Sequence, residues 1–225
     1  MNDYTDPKSS LVMFGLTDEF NFLKNLYVSK KMPKVLMLSG NKGIGKFTLI
    51  NHFLSYVFDN NNYDIDNKTI NDKTNFYKLY LNNIFSNIIC LNGNDFKNVK
   101  VEDIRNLRSN ILKTSLNSLN RFIILDDIEL FNESSLNALL KIIEEPSLND
   151  HFILINNKSR SLIETIYSRS LEFKILLKNE SRLQIINSLI KQHNLAAIID
   201  FEMTYLTPGN FLIFNDICFK NKIKI

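Results

Sequence analysis

The stretch PKVLMLSGNKGIGKFTLINHFLSYVF, residues 33–58, constrains this chain more than any other. A short apolar run ending in Gly40 suits a buried parallel strand, and the apolar residues after Lys46 return at helical spacing. Between them Gly40, Gly43, Gly45 and Lys46 form a GxxGxGK loop. Glycines at these points let backbone N–H groups face an anion without side-chain obstruction, and the helix start adds its positive end. The pattern predicts a phosphate-cradling loop between a strand and a helix. One residue does not suit nucleotide chemistry. A working loop follows its lysine with Ser or Thr, whose hydroxyl holds Mg²⁺, and this chain has Phe47. Thr48 is one residue late, which turns it by about 100° around the helix. The spacing therefore predicts a retained loop with a degraded nucleotide site.

The remainder repeats the alternation. NIICLNG, RFIILDD, HFILINN and LEFKILL read as further strands. VEDIRNLRSNILKTSL reads as a helix through Val101, Ile104, Leu107 and Ile111, and Asn132 as the cap of another that carries Leu136, Leu139, Leu140 and Ile143 and ends before Pro146. Strands alternating with helices predict right-handed crossovers and an α/β fold, a parallel sheet flanked by helices, over residues 1–175. From 176 to 225 the pattern is helical, as in ESRLQIINSLIKQH, with a break at TPGN, residues 207–210; this predicts a small helical lid domain. The polar, Asn-rich segment 59–76 reads as an exposed, mobile excursion.

Composition excludes more than it assigns. A net charge of +3 over 225 residues permits contact with nucleic acid without announcing it. Two cysteines without a CxxC pair support neither a disulfide framework nor a zinc site, and a reducing, cytoplasmic setting is expected. The amino terminus has no apolar run flanked by basic residues, and no stretch approaches ~20 apolar residues, so neither a signal peptide nor a membrane span is expected. FIILDDIE places Asp126 where an acid on the next strand faces a phosphate loop, and Asp127 where many ATPases carry a catalytic Glu. The shorter Asp withdraws its carboxylate from an attacking water, and a displacement of about one ångström can lower a rate roughly 10²-fold. The alternative is that two acids merely end a buried strand in solvent.

SSLNALLKIIEEP, residues 134–146, followed by SLIETIYSRSLEF, residues 161–173, closely resembles the bacterial clamp loader AAA+ subunits of DNA polymerase III. The hallmark of that family is an NALLK-x-x-EEP helix followed by a T-I-x-S-R-C motif. Asn137 to Lys141, Glu144 to Pro146, Thr165, Ile166, Ser168 and Arg169 match it, Ser170 stands where the family has Cys, and the resemblance runs from about Leu11 to Gly209. It implies a P-loop AAA+ fold with a lid. Within the family, a GIGK loop without an adjacent hydroxyl, and without zinc-binding cysteines, resembles the delta-prime stator branch. TPGN has Asn210 where an Arg is often found, and no Arg follows Arg182, so sensing of a bound nucleotide looks lost. Members carry a third, collar domain after the lid, and no match to it is expected within this sequence.

The resemblance implies that Arg169 is an arginine finger acting in trans on a neighbouring ATPase subunit. A guanidinium fork stabilises charge on transferred phosphate oxygens, whereas a lone exposed Arg is ordinarily a solvated surface charge. It further implies gamma/tau and delta as partners, a sliding clamp, and primed DNA bound without sequence preference. No cofactor is expected on this chain itself, ATP being bound by the partner subunit. Lys97, Lys100, Arg105 and Arg108, around the start of the VEDIRNLR helix, fall where such subunits track the duplex backbone, or else are helix charges paired with Glu102 and Asp103. The rival function is a gamma/tau-like subunit that hydrolyses ATP with Lys46, Asp126 and Asp127. A plain interaction module without a finger is a further alternative.

Overall fold

The computed structural model describes residues 3–93, 99–113 and 120–222. The chain forms two compact units, Met1–Asn25 with Asn41–Leu81 and Ile175–Ile225 in one, and Leu26–Gly40 with Asn82–Lys174 in the other. The unit that contains the expected lid thus also contains the helix after the phosphate loop. No helix among the described residues is long and apolar enough to cross a membrane.

The second unit is built on five parallel strands in the order β2-β3-β4-β1-β5: β1 Val35–Ser39, β2 Ile88–Asn92, β3 Arg121–Asp126, β4 Asp150–Asn156 and β5 Leu171–Lys174. β1, β3 and β4 are continuous apolar runs because both of their faces are buried, as parallel strands require. One face, carrying Met37, Ile123, Leu125, Phe152 and Leu154, packs against α4 (Val101–Lys113), α5 (Glu133–Ile143) and α6 (Glu164–Ser168). α5 begins as the sequence predicts, with the Asn132 side chain accepting the Ser135 N–H at 2.8 Å. At the start of β3 and β4, the register partners Arg121 and Asp150 form a buried two-pronged ion pair, Nε to Oδ1 at 2.8 Å and Nη2 to Oδ2 at 2.9 Å.

In the first unit, α1 (Thr17–Val28), α2 (Lys46–Phe58), α3 (Asn75–Leu81), α7 (Asn179–His193) and α8 (Pro208–Lys220) supply most of the regular structure, although the last three residues of α1 belong to the other unit. TPGN is not a break but the start of α8: Thr207 is the N-cap and Pro208 the first helical residue, where its missing N–H has no partner to lose. Ile186, Phe211, Leu212 and Cys218 join α7 and α8 in a small core. Buried Arg182 donates from Nη1 to the carbonyls of Phe201 and Leu206 at 3.0 and 3.2 Å and fastens the loop between the two helices.

The Asn-rich segment is largely exposed, as the sequence reads, but it also contributes side chains to the core. Tyr63, Ile70 and Phe76 are buried, the Met13 N–H bonds the Lys68 carbonyl, and the Ile70 N–H bonds that of Leu11. Asp64 accepts the N–H groups of Asp66 and Asn67, both at 3.0 Å, closing a tight turn. Asparagine here makes turns that set aromatic anchors, and Phe76 stacks on both Phe58 and Tyr80.

His52 of α2 lies beneath this segment, fully buried, with Nε2 at 3.2 Å from the Ser10 carbonyl and Nδ1 at 3.1 Å from the Tyr63 hydroxyl. A carbonyl only accepts, so Nε2 carries the proton and Nδ1 accepts from Tyr63. Burial holds the imidazole down to about 4, with the Ser10 carbonyl opposing the shift and Lys68 adding to it. A histidine depressed on folding takes up its proton first in the unfolded chain, so stability falls as pH drops from about 6.5 towards 4 and is level above. The slope is about 1.4 kcal/mol per pH unit and the total about 3 kcal/mol. Urea midpoints from pH 7.5 to 4.5 should show this decline, and His52→Gln should remove most of it; an unchanged slope would assign the decline to other groups.

Candidate functional site

The loop after β1 leaves Gly40, whose N–H bonds the Asn156 carbonyl at 3.2 Å, and enters the first unit at Asn41. Gly45 caps α2 in the left-handed region at φ 96°, without a side-chain cap. Lys46, the first helical residue, is buried, and its ammonium turns back to the Asn41 carbonyl at 2.8 Å. Phe47 and Thr48 are half-buried on the opening turn.

The start of α8 sits on the same loop. The Thr207 hydroxyl donates to the Lys42 carbonyl at 2.7 Å, and the Gly209 N–H to that of Gly43 at 2.8 Å. A Cβ on Gly43 would run into the Thr207 hydroxyl, and the residue stands at φ 83°. Gly43 is therefore required by the close approach of α8 as much as by any anion. The Asn210 backbone N also lies over Gly43, so TPGN meets the phosphate loop through its backbone.

The two acids at the end of β3 lie in the other unit. Asp126 ends the strand and accepts the Asp127 N–H at 2.8 Å. Asp127 is 2% exposed, so the reading that both acids end the strand in solvent does not hold for it. It stands in the left-handed region at φ 50° and accepts the Asn157 side-chain amide at 2.7 Å. The same amide reaches Asp126 at 3.4 Å. Buried Glu129 fixes the turn that carries Asn157: its carboxylate accepts the Asn157 and Ser159 N–H groups at 3.1 and 3.3 Å and the Ser159 hydroxyl at 2.7 Å. Asn157 and Glu129 are not singled out by the sequence patterns above, although the polar NN closing the apolar run of β4 is a usable signal.

α6 has only five residues, yet it is well anchored. Ile166 is fully buried, and the Tyr167 hydroxyl accepts the Asn156 amide at 3.0 Å. The Ser170 hydroxyl bonds the Ile166 carbonyl at 2.8 Å and closes the helix. Arg169 is the C-cap, and its side chain, 38% exposed, leans on Glu144 at the end of α5. Nε and Nη2 approach the same carboxylate oxygen at 2.7 and 2.5 Å, and Nη1 lies 3.4 Å from both the Thr165 carbonyl and the Ser168 hydroxyl.

Arg105 and Arg108 are exposed along α4 and Lys100 just before it, while Ile104, Leu107 and Ile111 face the core. Asp103 accepts the Lys100 N–H at 2.8 Å and so caps the helix. Among the described residues neither Arg105 nor Arg108 forms an ion pair with Glu102 or Asp103. Lys97 lies outside the described residues. Also among those residues, no group of three or more His, Cys, Asp or Glu could hold a metal ion.

A family model described as DNA polymerase III, delta subunit, matches residues 15–179. The chain is 35% identical over 85 residues to the DNA polymerase III subunit delta' of Buchnera aphidicola subsp. Baizongia pistaciae, covering 38% of this chain and 25% of that protein. It is 26% identical over 190 residues to the subunit gamma of Buchnera aphidicola subsp. Schizaphis graminum, covering 83% of this chain and 50% of that protein. The chain thus spans half or less of the length of these two relatives. Among solved structures, the Thermotoga maritima branch migration motor RuvB superposes with a TM-score of 0.56 at 15% identity, over 98% of this chain and 68% of that one. That likeness shows the P-loop AAA+ fold alone. With the family match spanning residues 15–179 and delta' and gamma subunits among the relatives, the chain belongs to the DNA polymerase III clamp loader family.

Proposed function

We propose that this chain is the delta-prime, or stator, subunit of its clamp loader, and that it completes a neighbour's ATPase site with Arg169 instead of running one itself. The observation that carries this reading is Phe47 on the opening turn of α2, where magnesium needs a hydroxyl. Two others support it. The Lys46 ammonium is turned onto the Asn41 carbonyl, and Asp127 is buried and accepts the Asn157 amide. Phe47 itself offers no oxygen to a magnesium-bound nucleotide.

Arg169, at the C-cap of a firmly anchored helix and partly exposed, is available to a facing subunit. Gamma/tau and delta are the partners this reading implies, and a sliding clamp on primed DNA is the substrate. Arg105 and Arg108, exposed on α4 and without ion pairs to Glu102 or Asp103, suit phosphate contacts that fix register without reading sequence. The cytoplasm is the setting of such an assembly. The rival, a gamma/tau-like ATPase, draws on the gamma relative that aligns over 83% of this chain.

Nucleotide titration separates the two. The isolated chain should bind no ATP at micromolar concentration in a magnesium-dependent manner and should not turn it over. A micromolar dissociation constant that weakens when magnesium is chelated would favour the gamma/tau-like reading.

A further inference from the structure

Glu144 is oddly placed for an acid. It is the C-cap of α5, where the helix carbonyls already concentrate negative charge and a carboxylate is disfavoured. Pro146 follows two residues later and α5 does not continue, so the side chain is held at this end. Its Oε1 receives two donors from one edge of Arg169, Nε at 2.7 Å and Nη2 at 2.5 Å.

We propose that Glu144 is a positioning residue for the arginine finger, holding the Nε edge of Arg169 so that the opposite edge of the guanidinium is presented outward to a triphosphate on the facing subunit. This rests on the reading of Arg169 as a finger. A guanidinium carries five N–H donors in a rigid plane, so fixing one edge fixes the direction of the other. The remaining contacts of Nη1, to the Thr165 carbonyl and the Ser168 hydroxyl, are long at 3.4 Å. Phosphate oxygens can displace them without breaking the Glu144 bonds.

An arginine side chain has four rotatable bonds, and without its carboxylate the fork samples many directions. The finger acts on charge that develops in the transition state, so loss of orientation lowers kcat and leaves KM nearly unchanged. Glu145, exposed and one residue further on, carries the same charge, but the carboxylate that Arg169 grips is that of Glu144; Glu145 therefore serves as a control for net charge.

The test is clamp- and DNA-stimulated ATPase of the complex formed with the full-length chain, its other ATP sites silenced by substitution of their phosphate-loop lysines. Glu144→Ala should lower kcat about 10-fold with KM within about 2-fold. Glu144→Gln, which keeps an acceptor, should fall between it and the parent, and Glu145→Gln should match the parent. In an Arg169→Ala background Glu144→Ala should lower the rate no further, since it acts through the missing group. A Glu144→Ala complex with normal or raised kcat beside a slow Arg169→Ala complex would overturn this inference alone. The same holds if Glu144→Ala slows both backgrounds equally. A normal Arg169→Ala rate would remove the finger and the inference with it.

Discussion

Arg169→Ala should slow ATP hydrolysis at the one site this chain faces by up to about 10³-fold, the lower end of what arginine fingers contribute. Whole-complex turnover should fall less, because other sites keep their own fingers. The fold should be unaffected: the side chain is 38% exposed, its ion pair with Glu144 is a surface pair of small value, and α6 is held by buried Ile166 and by Tyr167. Assembly should also be near normal, since complementary surface and not one rim charge holds subunits together. Size-exclusion chromatography of the variant complex, alongside the ATPase assay, checks both halves. An assembled complex of normal rate would leave Arg169 a solvated charge.

Asp150→Ala should have the largest effect on stability. Arg121 and Asp150 face each other across β3 and β4, both buried, with two parallel hydrogen bonds at 2.8 and 2.9 Å. Removing one partner leaves a buried guanidinium without its carboxylate, which destabilises by about 3–5 kcal/mol. For a chain of this size that lowers the melting temperature of the unit containing the sheet by roughly 10 °C. The double replacement Arg121→Met with Asp150→Leu should recover most of the loss, because neither charge then needs to be desolvated. Equal melting temperatures for single and double variants would show that packing at this corner, and not loss of the carboxylate from beside the guanidinium, sets the effect.

How much of the structure is legible in the sequence follows from how locally each feature is determined. β1, β3 and β4 announce themselves because a parallel strand buried on both faces is one unbroken apolar run. The sheet order, with β1 between β4 and β5, is not visible in any one segment. α3 is hidden because its buried side chains, Phe76, Tyr77 and Tyr80, follow a polar stretch whose composition reads as solvated. In the site, the loop glycines can be named from spacing and Arg169 from the motif that resembles the clamp loader subunits, since each belongs to a contiguous stretch. The pairings that define their chemistry cannot. Asn157 meets Asp127 across 30 positions and Glu144 meets Arg169 across 25, distances that only the sheet and the packing of α5 and α6 close. The hold of Thr207 on the phosphate loop, 165 residues away in sequence, is of the same kind.

The central claim is that this chain completes a neighbour's active site and does not run its own. Its most direct test compares Lys46→Met, which keeps the buried stem of the lysine and removes the ammonium, with Arg169→Ala in the same reassembled loader. Lys46→Met should leave clamp- and DNA-stimulated ATPase near that of the parent, while Arg169→Ala lowers it. If Lys46→Met abolished the activity and Arg169→Ala left it intact, the roles would be reversed and this chain would be the motor.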